Sequence, residues 1–160
     1  MLRGVMMLAD DNPIWKRGPV EQARAACEGG ARCIQLRAKF ATDRVALEWA
    51  TEIRDLTRDF DARFFVNDRF DLALLAEADG VHLGQDDVPP DRIPAEFRSR
   101  LAVGRSTHTL AQVETAITEP VDYIAFGPIF GTHSKDSPYE PRGLEQLADV
   151  VRRCAPRPVV

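Results

Sequence analysis

The chain has little cysteine. Cys27, Cys33 and Cys154 are odd in number and form no CxxC spacing. A disulfide framework or a Cys-rich zinc site is therefore disfavoured, and the three read as reduced packing residues of a cytoplasmic protein. No apolar run approaches the ~18 residues that would span a bilayer. The N-terminus, MLRGVMMLADDN, turns acidic after a short apolar stretch and lacks the h-region and small-residue cleavage site of a secretory signal. Basic charge is not in excess: 21 Lys and Arg against 25 Asp and Glu leave a net charge of -4 and a pI of about 5.4. That balance argues against nucleic acid or an anionic membrane as partner. Also missing are GxGxxG or GxxxxGK[ST] after the first strand, HExxH, and any Ser-His-Asp or Cys-His arrangement, so the common nucleotide-loop, zinc-protease and covalent-hydrolase chemistries have no motif to rest on.

What is present is a soluble composition, 44% hydrophobic and 29% charged over 160 residues, which suits one domain, residues 1–160, with a core of its own. Strand-like apolar runs fall at 5–9, 33–38, 63–67, 80–84, 101–106, 123–127 and 158–160. Helical patterns lie between them. Val45, Trp49, Ile53, Leu56 and Phe60 step by four, four, three and four and predict one helix face. Thr109 and Gln112 fit a capping box. Leu144, Leu147 and Val151 mark the sixth helix.

Strand and helix alternate six times, which predicts parallel βαβ units. Nearly every strand ends in polar residues: LADD, QLRAK, VNDR, GQDD and RSTH. An open doubly wound sheet gathers its ligand at one switch point, whereas a barrel draws on the C-terminal end of every strand. The expected fold is therefore α/β, a TIM (β/α)8 barrel, cut within strand seven at Val160. The loop GPIFGTHSKDSPYEPRG, residues 127–143, has the length and composition of a lid.

Gln35, Arg37 and Lys39 share one strand face by alternation. Either Asp and Glu partners neutralise the two cations in a structural network, or an anionic ligand does. Asn67-Asp68 end the third strand and Asp86-Asp87 follow the fourth. Asp68 is placed to cap the next helix. Asp68 and Asp87 together suit Mg²⁺, which keeps waters and takes further oxygens from phosphate. His82 inside GVHLG is either a satisfied core histidine or a contact to a heteroaromatic ligand. Ser106 stands at the fifth strand end, as a helix cap or a ligand hydroxyl. Thr132 and Lys135 lie in the loop after strand six, where Lys135 is either solvated or a third cation able to close over phosphates. Cations, carboxylates and hydroxyls around an ion suit the stabilisation of a departing diphosphate.

At these residues the sequence resembles the thiamine-phosphate synthase family. The motifs are QLRAK, FFVNDRFDLALLAEADGVHLGQDD, GRSTH and GPIFGTHSK, in family order over residues 35 to 135. The block from Phe64 to Asp87 is highly specific; GRSTH alone would not be. The resemblance implies a (β/α)8 barrel that condenses a hydroxymethyl-pyrimidine diphosphate with a thiazole phosphate, giving thiamine phosphate and diphosphate. It implies Mg²⁺ on Asp68 and Asp87, the diphosphate on Arg37, Lys39, Asn67, Ser106 and Lys135, the pyrimidine near Gln35 and His82, and the thiazole phosphate on Thr132. Among these, Arg37, Lys39, Ser106 and Lys135 would carry the catalysis. The implied mechanism is dissociative: the diphosphate leaves, a pyrimidinyl-methyl cation forms, and the thiazole nitrogen captures it.

Two departures accompany the resemblance. Ala9-Asp10 stands where Thr-Asp is frequent. The thiazole-phosphate contacts expected after strands seven and eight would lie past Val160. The rival expectations are a thiazole tautomerase-like isomerase, which shares a GRS-x-H stretch but loses the Asn-Asp and Gln-Asp-Asp motifs, and a non-catalytic barrel remnant. Small molecules are the expected partners, and self-association is compatible with such a barrel.

Overall fold

A computed structural model of the chain describes residues 4–131 and 139–160. The strands are β1 (Met6–Asp10), β2 (Cys33–Arg37), β3 (Arg63–Asn67), β4 (Gly80–Leu83), β5 (Ala102–Thr107) and β6 (Tyr123–Phe126). The helices are α1 (Pro19–Glu28), α2 (Asp43–Asp59), α3 (Phe70–Leu75), α4 (Ala95–Arg98), α5 (Leu110–Thr118) and α6 (Gly143–Cys154), with a 3-10 turn at Pro90–Arg92. The chain groups into two compact units, Met1–His82 with Ala95–Ala102, and Leu83–Pro94 with Val103–Val160.

In the first unit β1, β2, β3 and β4 pair in parallel in chain order. A doubly wound sheet would reverse that order at its switch point; here it does not reverse. Ile34, Leu36, Phe64, Phe65, Val66 and Val81 are buried, because strands covered on both faces require continuous apolar runs rather than alternation. Gly80 faces the Phe65 ring and the Ala102 carbonyl so closely that no Cβ fits there.

Thr42 caps α2, its hydroxyl accepting from Val45 N–H. The buried stripe of α2 is Ala46, Ala50, Ile53, Leu56 and Thr57. Ile53 and Leu56 of the predicted face lie in this stripe, whereas Val45, Trp49 and Phe60 are only half-buried, so the true face is turned towards the alanines. The alanines at its centre carry no hydrophobic signal as strong as Trp or Phe, yet they are what close backbone packing selects.

In the second unit β5 and β6 pair in parallel. Val159 bridges Ile124 in parallel, and Val160 N–H donates to Ile124 O at 2.9 Å, so the run 158–160 lies along β6 as a strand-seven segment should. Leu83, Val103, Val113, Tyr123, Ile124 and Val150 form the core. The ring of Tyr123 occupies the space that a side chain on residue 104 would need, and Gly104 leaves it open.

The capping box of α5 is present: Thr109 Oγ1 accepts from Gln112 N–H, and Gln112 Oε1 accepts from Thr109 N–H, both at 3.2 Å. In α6 the buried residues are Val150 and Cys154, whereas Leu144 and Val151 are exposed. The predicted face of that helix is thus turned by about one residue. All three cysteines are buried thiols. Burial is the main cause that pushes Cys33 up to about 12, with Asp79 adding to it.

Both units start a strand with the same device. Asp79, before β4, donates its N–H to Phe64 O and accepts Phe64 N–H on its carboxylate, each at 2.8 Å. Asp122, before β6, does the same with Val103, each at 2.7 Å. Asp79 also takes Arg63 at 2.9 Å and Arg54. Six parallel strands alternating with helices are what the chain displays; closure into eight remains the expectation stated from sequence.

Candidate functional site

Each expected side chain among the described residues is placed by a strand or by the turn that follows it. In the first unit, β1 and β2 register Asp10 opposite Arg37, and β3 and β4 register Asn67 opposite His82. Asp10, Arg37, Asn67 and His82 are thus the polar residues at the C-terminal ends of four consecutive strands. Two residues earlier Gln35 is buried and donates to Met6 Sδ at 3.2 Å.

Arg37 donates to Asp10 Oδ2 at 2.8 Å. Asp10 also accepts Asn12 N–H at 2.8 Å. Lys39 lies past the end of β2, not on it as expected, and pairs with Asp68. Both cations therefore meet carboxylates. That is the network reading of the sequence, and it places the Lys39 ammonium on one of the two expected metal ligands.

Asp68 does not cap α3. The residue at the cap is Arg69, which makes no side-chain cap. Instead Asp68 takes φ +65°, a left-handed conformation uncommon for non-glycine residues but tolerated by Asp and Asn, and its N–H donates to His82 O at 2.7 Å. Its neighbour Arg69 ties this turn to two helix starts, donating to Asp43 and Asp71 at 2.7 Å each. Those hydrogen bonds raise the Arg69 guanidinium, Asp71 first and then Asp43, and hold both carboxyls below their usual range.

In the second unit Asp87 accepts Gly84 N–H, closing the turn after β4. Arg105, buried on β5, donates to Gly84 O and lies 3.2 Å from Glu119. Gln85 donates to Ser106 O at 2.6 Å. Ser106 Oγ and His108 Nε2 are 3.5 Å apart, and His108 Nδ1 is 2.6 Å from Gly127 O. The His108 ring stacks on Tyr139 with centroids 4.3 Å apart. Thr132 and Lys135 fall outside the described residues, as does the segment 132–138 of the expected lid.

Sequence reasoning passed over Asp11, Arg105, Gln85 and the His108–Tyr139 stack. The doubled aspartate at the end of β1 was the one available signal. The others act through backbone carbonyls or ring faces, which leave no mark in residue spacing.

The donor types suit a hard dication. Asp68 and Asp87 offer carboxylate oxygens, and Asp68 already faces a cation in Lys39. Among the described residues no cluster of three or more His, Cys, Asp or Glu could hold a metal by itself. Carboxylate oxygens are the donors Mg²⁺ takes, in ones or twos, when water and phosphate fill its remaining positions.

A parallel α/β protein with charged and hydroxyl side chains at its strand ends defines the class. The sequence model of thiamine monophosphate synthase matches residues 5–160. The thiamine-phosphate synthase of Anaeromyxobacter dehalogenans is 49% identical over 89% of this chain and 63% of its own length. That of Pelotomaculum thermopropionicum is 44% identical over 85% of this chain and 62% of its own length. A solved structure, thiamine phosphate pyrophosphorylase from Pyrococcus furiosus, superposes with a TM-score of 0.83 at 36% identity, covering 96% of this chain and 72% of that one. The chain belongs to the thiamine monophosphate synthase family, and it spans a little under two thirds of the length of the first two relatives.

Proposed function

We propose that this chain carries the diphosphate half-site of a thiamine-phosphate synthase. The reaction is the transfer of a pyrimidinyl-methyl group from diphosphate oxygen to a thiazole nitrogen. The C–O bond breaks with its electron pair going to the diphosphate, and the thiazole nitrogen lone pair forms the new C–N bond. The observation that carries this reading is the match of the thiamine monophosphate synthase sequence model over residues 5–160, a span that contains Arg37, Lys39, Asn67, Asp68, Asp87 and Ser106 at or just past the strand ends; the carboxylates of Asp10 and Asp68 hold the two cations there.

Arg37 and Lys39 bind the diphosphate and neutralise charge as it departs, with Ser106 and Asn67 donating hydrogen bonds and Lys135 as a third cation. Gln35 and His82 orient the pyrimidine, and Thr132 meets the thiazole phosphate. Asp68 and Asp87 would hold Mg²⁺, which supplies additional neutralisation of the leaving group. The aminopyrimidine ring delocalises the developing positive charge, so no general base is needed for the ionisation. We place the chain in the cytoplasm and read its full architecture as a (β/α)8 barrel.

The test is calorimetric titration of hydroxymethyl-pyrimidine diphosphate, with and without Mg²⁺, after circular dichroism confirms folding. Mg²⁺-dependent binding that disappears in Asp87→Ala is the expected result. A folded chain that ignores the diphosphate overturns the reading in favour of an isomerase or a non-catalytic binder.

A further inference from the structure

Asp11 stands one residue beyond β1 and has no part in the site described so far. Its Oδ1 accepts the N–H of Lys39, and its Oδ2 accepts the N–H groups of Phe40 and Ala41, all at 2.8 Å. Its own N–H donates to Arg37 O at 3.1 Å. One residue therefore grips the connection from β2 to α2 at both ends.

That connection, residues 38–42, has no ladder partner. Its course is fixed from outside, by Asp11 on one side and by the Thr42 cap of α2 on the other. Three successive N–H groups converging on one anion form a concave arrangement that needs negative charge to hold it. Hydrogen bonds to an ionised acceptor are the stronger kind. Without the carboxylate the three amides would turn to water, and the backbone beneath Lys39 would lose its fixed curvature. The long Lys39 side chain would then reach Asp68 or a diphosphate only from a spread of starting points, losing preorganisation.

We infer that Asp11 is a positioning residue for diphosphate binding: its carboxylate fixes the backbone of residues 39–41 and so aims Lys39. The inference rests on the diphosphate half-site reading, because Lys39 must be a ligand for its aim to count. Asp11 touches no substrate; its effect passes through Lys39, and that separates it from a loop anchor that serves stability alone.

The experiment is a double-mutant cycle read by calorimetric binding of inorganic diphosphate in the presence of Mg²⁺. The proteins are the wild-type chain, Asp11→Asn, Lys39→Ala and the double variant. Asn keeps the size and one acceptor oxygen, so the chain should fold, and circular dichroism checks it. Asp11→Asn should weaken binding by roughly 10-fold, the scale of supporting-partner losses. In the Lys39→Ala background the same change should cost less than about twofold, since a residue acting through Lys39 has nothing left to act on. Amide exchange at residues 39, 40 and 41 should quicken in Asp11→Asn, independently of any ligand.

Full additivity of the two substitutions overturns the inference, as does unchanged binding or unchanged exchange in Asp11→Asn. If wild-type binding is real and Lys39→Ala alone weakens it, the diphosphate reading stands while the role of Asp11 falls. If the wild-type chain binds no diphosphate, the half-site reading falls and takes this inference with it.

Discussion

The two ends of the strands use aspartate differently. Before β4, Asp79 is four-fifths buried, and its oxygens are spent on Phe64 N–H, Arg54 and Arg63. Before β6, Asp122 repeats the grip on Val103. At the opposite ends, Asp10, Asp11 and Asp68 meet Arg37, the amides after β2 and the Lys39 ammonium. Lys39 is 43% exposed on its side chain and long enough to let go. The contrast is between carboxylates locked by backbone and planar guanidinium groups, and a carboxylate held by a mobile point charge. In α/β barrels the N-terminal ends serve stability and the C-terminal ends serve chemistry; of Asp10, Asp11 and Asp68, the first two are held by guanidinium and backbone groups as Asp79 is, and Asp68 is the one held by an ammonium.

The comparison breaks most visibly at Asp79. Asp79→Ala strands Arg54, 14% exposed on its side chain, and removes the acceptor of Phe64 N–H. A loss of about 3 kcal/mol in urea unfolding is expected, with diphosphate affinity unchanged in the molecules that remain folded. The same variant tests a pH effect. Burial opposes the charge on Asp79, but Phe64 N–H, Arg54 and Arg63 outweigh it and hold the carboxyl below its usual value. Its contribution is complete above about pH 4, the ordinary carboxyl value, and disappears as pH falls through the lower folded value. Asp79→Ala should therefore flatten the acid limb of the stability curve. An unchanged limb assigns acid sensitivity elsewhere.

The second break is Asp68→Asn. Asn tolerates the left-handed backbone at this position, so the unfolding midpoint should barely move. Mg²⁺-dependent binding of the pyrimidine diphosphate should weaken on the order of 100-fold, the upper end of losses known for a ligand's supporting partners. Intact affinity would place Asp68 with Asp79, among the structural carboxylates.

The smallest effect sharpens the contrast. Lys39→Met removes the cation now on Asp68, so Mg²⁺ alone, without diphosphate, should bind roughly 2- to 5-fold more tightly. That is the range of a partly exposed ion pair, and titration calorimetry can read it. Weaker Mg²⁺ binding in this variant would mean that Lys39 does not compete for Asp68.

All six strands could be read from sequence within a residue, because buried parallel strands are short continuous apolar runs set off by polar ends. Helix faces were harder. The true stripe of α2 joins Ala46 and Ala50 to the expected Ile53 and Leu56, and that of α6 holds Val150 and Cys154; small residues at a close helix contact carry a weaker hydrophobic signal than larger neighbours beside them. The cations Arg37 and Lys39 were legible as a pair, but their partners were not. Asp10 is 27 residues from Arg37 along the chain, and the β1–β2 register brings the two together; Asp68, which meets the Lys39 ammonium, comes from the turn after β3. The capping role weighed for Asp68 failed because its φ turns the backbone left-handed one residue before α3. No periodic pattern encodes a single dihedral angle.

Gly80 and Gly104 bear on how this sequence can drift. At each, even a single methyl group would collide, with Phe65 and the Ala102 carbonyl in one case and with the buried Tyr123 ring in the other. Neither neighbour can swing aside, since Phe65 and Tyr123 are each 1% exposed. A saturation library selected for folded chains should therefore leave these two columns nearly empty of anything but glycine. At 104 an escape would call for a paired change, a smaller residue at 123, so that ring and glycine are inherited as one unit; at 80 the Ala102 backbone carbonyl would still stand in the way whatever replaced Phe65.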